Sequence, residues 1–248
     1  MDIDDPPPPP PAVISTDRGS IGDGTAIMPP FRVDVETGCT VAWRERDGVD
    51  RRTINGPETL LRVGLVEDLV ELRAIWAGHV DVREEAGGAR GGAHGLADVA
   101  LGLKLKLLDQ TGLLPRTVLI GQTFIGAGDA EVTGGVDPTV KAAFSWDLGD
   151  GWGVLGNLGA SWISDGAGHV AQGLGSLLVS FAPLEATTLF AEYGATFPAA
   201  RGDDAAHVVD VGVWQRLGPS VQLDLRVAFG LGGPADDLAV GAGVSFLF

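Results

Sequence analysis

Within residues 95–108, GLADVALGLKLKLL, positions 98–107 alternate between two kinds of side chain. The odd-numbered positions, one parity of the segment, carry branched aliphatic side chains: Val99, Leu101, Leu103, Leu105 and Leu107. The other parity combines full charges with very small residues and consists of Asp98, Ala100, Gly102, Lys104 and Lys106. Successive side chains leave a strand on opposite faces, so this period of two predicts a β-strand. The aliphatic face suits either the core of a soluble sandwich or the lipid around a transmembrane barrel whose lumen holds the charges.

The same alternation recurs from residue 31 to the end of the chain and predicts about twelve strands. These predicted strands cover approximately residues 31–43, 58–65, 70–81, 95–108, 114–125, 139–147, 152–163, 170–182, 187–197, 208–217, 220–231 and 238–248. The strand at 114–125 is apolar on both parities, so the pattern does not assign its faces.

Short and long connections alternate between the predicted strands. The short ones are residues 66–68, 109–112, 149–151, 183–186 and 218–219, and the long ones are 45–56, 83–93, 126–135, 164–168, 198–206 and 232–237. An up-and-down bacterial barrel has this arrangement because its periplasmic turns are short and its extracellular loops long. A soluble Greek-key sandwich has no reason to sort its loops in this way. Since closure also removes exposed sheet edges, we predict an all-β fold, a closed up-and-down antiparallel transmembrane β-barrel with both termini periplasmic.

The first thirty residues differ from the rest. Residues 2–11, DIDDPPPPPP, favour an extended polyproline II conformation and cannot join a sheet. We expect this segment to be a spacer rather than a ligand for a partner. Residues 14–30 predict irregular structure that leads into the first strand. We therefore expect two parts: an acidic, proline-rich tail and lead-in at 1–30 in the periplasm, and a barrel at 31–248. The start lacks the apolar run of a secretory signal, which we interpret as a mature sequence with its signal peptide removed.

Composition narrows the class of protein. With 33 acidic and 17 basic residues the net charge is -16, which disfavours a nucleic-acid partner. A mean hydropathy of +0.20 is too high for a disordered polyacid. The sequence contains no run of eighteen or more apolar residues, so it predicts no membrane-spanning helix. The chain could therefore reside in a membrane only as a closed barrel. The single cysteine, Cys39, excludes a disulfide framework and a Cys-based zinc site, and it is expected to pack or to face lipid.

Several short motifs carry a resemblance to a known family. In order they are STDR (15–18), RVDVETG (32–38), LLRVGL (60–65), LVELR (69–73), GLADVALGLKLKLL (95–108), GNLGA (156–160), LFAEYG (189–194), VQLDL (221–225) and GAGVSFLF (241–248). Their order and spacing resemble the outer-membrane transporter family named after the meta pathway of phenol degradation. One departure is Gly126-Ala127-Gly128, where a Pro-Thr-Gly-like turn is expected. The resemblance implies a barrel that moves small compounds, hydrophobic or aromatic ones among them.

The inward parity supplies candidates for the lining of a solute pathway. They are Glu36, Arg62, Glu71, Arg73, Asp98, Lys104, Lys106, Lys141, Asn157, Glu192, Asp210, Asp224 and Arg226. Both signs of charge are interleaved, so neighbouring strands are expected to pair them, and we expect Asp98, Lys104 and Lys106 to pair with Glu71 and Arg73. These groups either form a selective lumen or a salt-bridged interior that only fills the barrel. Inward glycines decide between the two, and they are Gly102, Gly159, Gly212, Gly241 and Gly243.

Aromatic and histidine positions add smaller expectations. The tryptophans near predicted strand ends fit an interfacial girdle and are Trp43, Trp76, Trp146, Trp152 and Trp162. Trp214 falls on the inward parity instead. His79 and His94 are weak metal candidates at the mouth, beside loop acids that include Asp165 and Asp203, but solvated histidines are the expectation and no metal site or cofactor is assigned. No catalytic motif occurs, such as a nucleophile elbow or a P-loop, so we assign no catalytic residues.

The sequence thus predicts a bacterial outer-membrane channel or transporter for the passive passage of small solutes. Its expected partners are the lipid bilayer, the small solutes and the outer-membrane assembly machinery, which would read the terminal strand ending at Phe248. The alternative is a plugged barrel that serves as a structural or protein-interaction component. An outer-membrane lipase or protease is a third, less favoured class.

Overall fold

A computed structural model describes residues 13–132, 134–164, 168–198 and 204–248 of the chain. These residues form fourteen β-strands: β1 (Val33–Arg46), β2 (Val49–Val66), β3 (Val70–Trp76), β4 (His79–Ala86), β5 (Ala89–Leu96), β6 (Val99–Leu108), β7 (Arg116–Phe124), β8 (Pro138–Gly149), β9 (Trp152–Ser164), β10 (His169–Leu184), β11 (Thr187–Pro198), β12 (Ala206–Arg216), β13 (Val221–Gly232) and β14 (Leu238–Leu247). In the same ranges, no helix is long and apolar enough to cross a membrane.

Twelve of the strands form a closed antiparallel barrel. β1 pairs with β2 on one edge and with β14 on the other, which closes the sheet. Around the ring, chain neighbours pair with each other except where β3 meets β6. β4 and β5 stand outside the ring as a hairpin, paired with the first half of β2. The predicted fold class and the number of barrel strands are confirmed.

Two predicted long loops are strands instead. β1 and β2 continue past the barrel and meet in a tight turn at Asp47 and Gly48, whose φ angles are 53° and 74°. Positive φ at both central residues is the geometry of a type I′ hairpin, which an Asp-Gly pair favours. The predicted loop at 83–93 forms most of the β4–β5 hairpin, and the strand predicted at 70–81 stops at Trp76. The alternation is lost in these segments because both faces of a strand outside the membrane are polar.

The outer surface of the barrel is the aliphatic face predicted from the alternation. Leu101, Leu103 and Leu107 are each at least 50% exposed, whereas Lys104 between them is fully buried. An exposed aliphatic band around a closed sheet with buried charges is the arrangement of a transmembrane barrel. Cys39 lies on the exposed parity of β1, so of its two expected environments it has the outward, lipid-side one.

The sequence pattern did not show which side chains of β7 point inward and which point outward, and the contacts of the strand now do. Val118 and Ile120 are fully buried and pack with Ala143 of β8 and Ile27. Leu119 points outward and is 39% exposed. β7 is apolar on both parities because this part of the inner wall meets an apolar side chain from the N-terminal region rather than water.

Residues 13–30, the lead-in, lie inside the barrel. The chain enters at the short-turn end, where the N–H of Ile14 donates to the carbonyl oxygen of Pro219 in the β12–β13 turn at 2.8 Å. It leaves at the same end, where Met28 packs with Ile14 and Leu247. A Cβ atom on Gly64 would collide with the backbone carbonyl of Met28, so this wall position needs glycine.

The expected periplasmic location of residues 1–30 is therefore wrong for the lead-in, and the tail at 1–12 lies outside the described residues. The lead-in has no alternation of polar and apolar residues, so the pattern that located the strands gave no information about its location. Its polar side chains and unpaired backbone groups make it unsuited to lipid but well suited to a charged lumen.

Candidate functional site

Arg62 of β2 is the centre of a buried ion network. Its Nε lies 2.9 Å from Glu71 of β3, and its Nη1 lies 3.1 Å from Glu36 of β1. The same guanidinium donates to the carbonyl oxygens of Ser15 at 2.6 Å and Ala26 at 2.9 Å. Arginine suits this position because its fork of donors is rigid and planar. One side chain thus joins three strands of the wall to both arms of the lead-in.

The two glutamates of this network also bind backbone groups of the lead-in. Glu36 accepts hydrogen bonds from the N–H of Asp17, 3.0 Å from each carboxylate oxygen, and from the N–H of Arg18 at 2.5 Å. Glu71 accepts from the N–H of Met28 at 3.0 Å. These N–H groups belong to no sheet and would be costly to bury without acceptors. The inward carboxylates therefore replace the hydrogen bonds that a strand would have supplied.

Asp17 is the counter-ion of three buried wall cations. Its Oδ2 lies 2.5 Å from Nζ of Lys104, 3.2 Å from Arg73 and 3.7 Å from Arg62. Lys104 is 3.9 Å from Glu71, so the pairing expected from the strand pattern is present only as its longer contact. A pattern confined to strands could not reveal a partner supplied by an irregular segment.

The tip of the lead-in is held at Asp23. Its carboxylate binds Arg73 at 2.6 Å and forms an ion pair with Lys141 of β8. Asn157 of β9 binds its backbone in both senses: Oδ1 accepts from the N–H of Asp23, and Nδ2 donates to its carbonyl oxygen, each at 3.1 Å. Three wall strands therefore fix this one residue.

β11 and β12 hold the other side of the lead-in. Glu192 accepts from the N–H groups of Ile21 at 2.6 Å and Gly22 at 2.9 Å. Trp214, the tryptophan that breaks the girdle pattern, points inward and donates from Nε1 to the carbonyl oxygen of Arg18 at 3.0 Å. Its ring stacks on Phe190 with centroids 4.3 Å apart. The position of Trp214 on the inward parity is thus explained by its contact with the lead-in.

The side chain of Arg18 lies along the inner wall over β1 and β14. Its Nη1 lies 2.9 Å from Glu58, and its Nε lies 3.5 Å from Asp224. A Cβ atom on Gly38 or Gly243 would collide with this guanidinium, so two wall glycines make room for it. The charge at Asp224 therefore faces a cation of the lead-in.

The other inward glycines are also covered by neighbouring side chains. Gly102 lies against Gln122, Gly159 against Lys141, Gly212 against Phe190 and Gly241 beside Arg226. The space that each of these glycines leaves is used by an adjacent side chain.

Asp98 and Lys106 are inward candidates that lie at opposite ends of β6, away from the ion network. Asp98 accepts from the N–H of Gly128 at 2.9 Å in the loop after β7. Lys106 lies 2.5 Å from Asp68 and 2.9 Å from Asp109 in the short turns. Neither has the expected partner among Glu71 and Arg73. Both charges are paired instead with the loops that begin where the strands end.

Two chambers lie on opposite sides of the lead-in within the barrel, and a smaller cavity of about 280 Å³ lies beside it against Arg18 and Glu58 and shares Ser20 and Arg226 with the first. The upper chamber has a volume of about 470 Å³ on the long-loop side, above Ser20 and Ile21. The lower chamber has a volume of about 360 Å³ on the short-turn side and is lined by Thr16, Trp214 and Gln222. The lead-in, with the Phe190–Trp214 pair beside it, separates the two.

Arg226 and Asp210 complete the inward candidates. Nη1 of Arg226 lies 3.2 Å from Asp210 on the adjacent strand. Arg226 lines the upper chamber, so this ion pair borders open space rather than the packed lead-in.

The histidine pair lies on the outer hairpin. His79 and His94 are close, with ring centroids 6.3 Å apart. Within the described ranges, no group of three His, Cys, Asp or Glu residues is arranged to hold a metal ion. The loop acids Asp165 and Asp203 lie outside those ranges.

Sequence reasoning missed three functional side chains of the lead-in: Asp17, Arg18 and Asp23. Their signal is a cluster of full charges among Ser, Thr and Gly, directly before a barrel whose inner wall is itself charged. Such a segment has wall partners available and is a candidate for the lumen.

Comparison with solved structures shows the fold. The chain is similar to an outer-membrane channel from Pseudomonas putida F1, with a TM-score of 0.68 and 15% identity over 90% of this chain and 97% of that one. It is also similar to the translocator domain of the autotransporter NalP from Neisseria meningitidis, with a TM-score of 0.58 and 13% identity over 88% of each chain. For the NanC porin the TM-score is 0.54 and the identity 9%, over 86% of this chain and 98% of that one.

Together with the aliphatic outer band, these likenesses identify a bacterial outer-membrane β-barrel. Among curated proteins, none matches the sequence significantly. The sequence profile of the family described as "Putative MetA-pathway of phenol degradation" matches residues 16–248, nearly the whole chain, and the protein therefore belongs to that family.

Proposed function

We propose that the protein is an outer-membrane channel for the passive passage of small solutes, and that the lead-in is its plug. The observation that carries this proposal is the single irregular segment that lies between cavities of about 470 and 360 Å³ on the long-loop and short-turn sides of one lumen. The contacts that hold this segment in the described structure are hydrogen bonds, ion pairs and apolar packing. Such contacts are reversible, so the segment can move without chemical change.

The two sides of the plug are held differently. The buried ion pairs to Arg62, Arg73 and Lys104 lie on β2, β3 and β6. On the opposite side, Glu192 and Asn157 bind only backbone groups of the tip. Displacement of the tip from β9 and β11 would break the ion pairs of Asp23 with Arg73 and Lys141, while the contacts of Asp17 with Arg62 and Lys104 stay intact. We therefore place the solute pathway along β9 to β13.

In this pathway the inward wall residues have two roles. Residues that anchor the plug on one side are Glu36, Arg62, Glu71, Arg73 and Lys104, and Glu192 and Asp224 contact it on the other. Lys141, Asn157 and Arg226 line the upper chamber, the space a solute would cross. Solutes with an apolar body, as the family resemblance implies, would contact the aliphatic parts of the chamber wall. Passage would follow the concentration gradient.

Conductance of the full chain in planar lipid bilayers tests the channel. Discrete current steps are expected, with an open fraction that rises when Glu192→Gln weakens the hold on the tip. The matched control is Glu67→Gln, an exposed residue of the β2–β3 turn, which should leave the open fraction unchanged. A barrel that inserts but stays silent in both the wild type and Glu192→Gln would contradict the proposal.

The second candidate function is a closed barrel with a structural or interaction role. It is favoured by the burial of the ion network, since Arg62, Glu36, Glu71 and Lys104 are all fully buried. A silent, fully inserted barrel is the result this role predicts. We propose no catalytic activity, because the chain carries none of the nucleophile or phosphate-binding motifs considered above.

The assembly machinery of the outer membrane is a proposed partner. Phe248 is 64% exposed, and β14 is the strand that closes the barrel against β1. Phe248→Ala should lower the amount of barrel inserted in cells while leaving refolding of the purified chain into detergent unchanged. Phe229→Ala, in the middle of the β13 outer face, is the control. Equal insertion of Phe248→Ala and wild type would contradict recognition of the terminal strand by the assembly machinery.

A further inference from the structure

The upper chamber has an apolar wall with two cationic side chains set into it. Its aliphatic lining includes Leu174, Val208 and Ala228, and its cations are Lys141 of β8 and Arg226 of β13. A volume of about 470 Å³ is in the range of pockets that enclose small molecules. An apolar cavity with a few convergent charged groups is the usual composition of a small-molecule site.

Both cations lie along the wall rather than across the chamber. A Cβ atom on Gly159 would come 2.7 Å from Cγ of Lys141, and one on Gly241 would come 3.1 Å from Nε of Arg226. A larger side chain at either glycine would push the cation into the cavity. The two glycines therefore keep the chamber open and leave the cationic groups at its surface.

Arg226 retains donors for a ligand. Its side chain is 24% exposed, and in the described part of the chain its only ion-pair partner is Asp210, which binds Nη1. A guanidinium has five N–H donors in a fork that matches a carboxylate. Nε and Nη2 of Arg226 are thus free to bind an anionic oxygen. Lys141 is more engaged, because Asp23 of the lead-in is its partner.

We propose that the upper chamber binds a small organic monocarboxylate with an apolar body. Arg226 binds the carboxylate, Lys141 adds a second positive charge, and the apolar body packs on Leu174, Val208 and Ala228. The inference deepens the proposed channel function by naming a solute class, and it rests on that function only for passage, not for binding.

One carboxylate opposes such a ligand. Among the described residues that line the chamber, Asp236 is the single acidic side chain, and it lies in the loop between β13 and β14. Removal of this charge by Asp236→Asn is expected to strengthen binding of the anion several-fold without changing the binding of a neutral analogue.

Calorimetry of the full chain in detergent micelles tests the site, with a titration into empty micelles as the blank. The probes are cyclohexanecarboxylate and its neutral isostere cyclohexylmethanol. Hydrogen bonds to charged groups contribute more than neutral ones, so the carboxylate should bind about tenfold more tightly. The double variant Asp210→Asn/Arg226→Gln removes both partners of the ion pair and should abolish this preference.

Asp81→Asn/Arg83→Gln is the matched control, since it removes an ion pair of 2.8 Å on the outer hairpin. It should bind both probes as the wild type does. Equal or non-saturable binding of the two probes to the wild type would overturn the proposal, as would a preference that persists in Asp210→Asn/Arg226→Gln. Current steps without binding of the carboxylate would contradict the proposed ligand site but not the channel. Binding of the carboxylate to a barrel that conducts no current would contradict the channel but not the site.

Discussion

Nζ of Lys104 on β6 lies 2.5 Å from Oδ2 of Asp17 in the lead-in, whereas its distance to Glu71 on the adjacent strand is 3.9 Å. The lysine is fully buried. Its closest charge therefore comes from the segment inside the lumen and not from the wall. The stability of the barrel and the position of the lead-in are coupled through this pair.

Lys104→Met should lower the free energy of unfolding substantially. Loss of one partner from a buried pair costs about 3–5 kcal/mol, and the lower end applies because Arg73 still lies 3.2 Å from Asp17. Lys106→Met is the control, because its partners Asp68 and Asp109 are largely exposed and such pairs contribute at most about 1 kcal/mol. Urea unfolding of the folded barrel measures both. Equal losses in the two variants would contradict a buried pair at Lys104.

The cluster of charges around Asp68 predicts a pH dependence at the short-turn end. Burial opposes ionisation of Asp68, but hydrogen bonds from Arg116 and Lys106 lower its pKa below the ordinary value of 3.8. The ionised form therefore stabilises the fold above the pKa of the unfolded chain, and this contribution is lost as pH falls through the lower folded pKa.

Wild type should consequently be more stable than Asp68→Asn at neutral pH, and the difference should shrink as the pH is lowered below about 4. Melting temperatures of the two proteins between pH 7 and pH 3 check this. A difference that stays constant or grows on acidification would show that the carboxylate of Asp68 has no such role.

Leu103 tests which face of the wall meets lipid. It is 50% exposed, and it is paired with Leu72 in the middle of the wall. Leu103→Arg should destabilise the barrel in bilayers by about 2–4 kcal/mol, the cost of an arginine near the bilayer midplane. Leu113→Arg, in the short turn after β6, should have almost no effect. Stability of both variants equal to wild type in lipid vesicles would contradict the lipid-facing assignment.

The barrel wall was predictable from the sequence because its two sides have different solvents. Alternation at residues 99–107 predicted the inward position of Lys104, which is fully buried. The extra hairpin was missed because β4 and β5 stand outside the membrane, where no alternation is required. The faces of β7 remained open because Ile27 supplies an apolar partner on the inner side.

The partners of the wall charges could not be predicted from strands alone. Arg62, Glu36 and Glu71 were correctly placed inside, but their ligands include backbone groups of Ser15, Asp17 and Met28. Such bonds depend on the path of an irregular segment, for which periodicity carries no signal. The interleaved inward charges predicted either a selective lumen or a salt-bridged interior, but gave no indication that the lead-in supplies their partners.

A reversible disulfide between the lead-in and the barrel wall tests directly whether the lead-in closes the channel. A Cβ atom on Gly194 of β11 would lie 3.6 Å from Cβ of Ile21 at the tip, which is the separation a disulfide requires. The measurement is the bilayer conductance of Ile21→Cys/Gly194→Cys in a Cys39→Ala background, oxidised and then reduced, with the two single-cysteine variants as controls. Loss of current on oxidation and its return on reduction are predicted for the double variant alone. An oxidised, cross-linked barrel that conducts like the reduced one would contradict the lead-in as the plug of this channel.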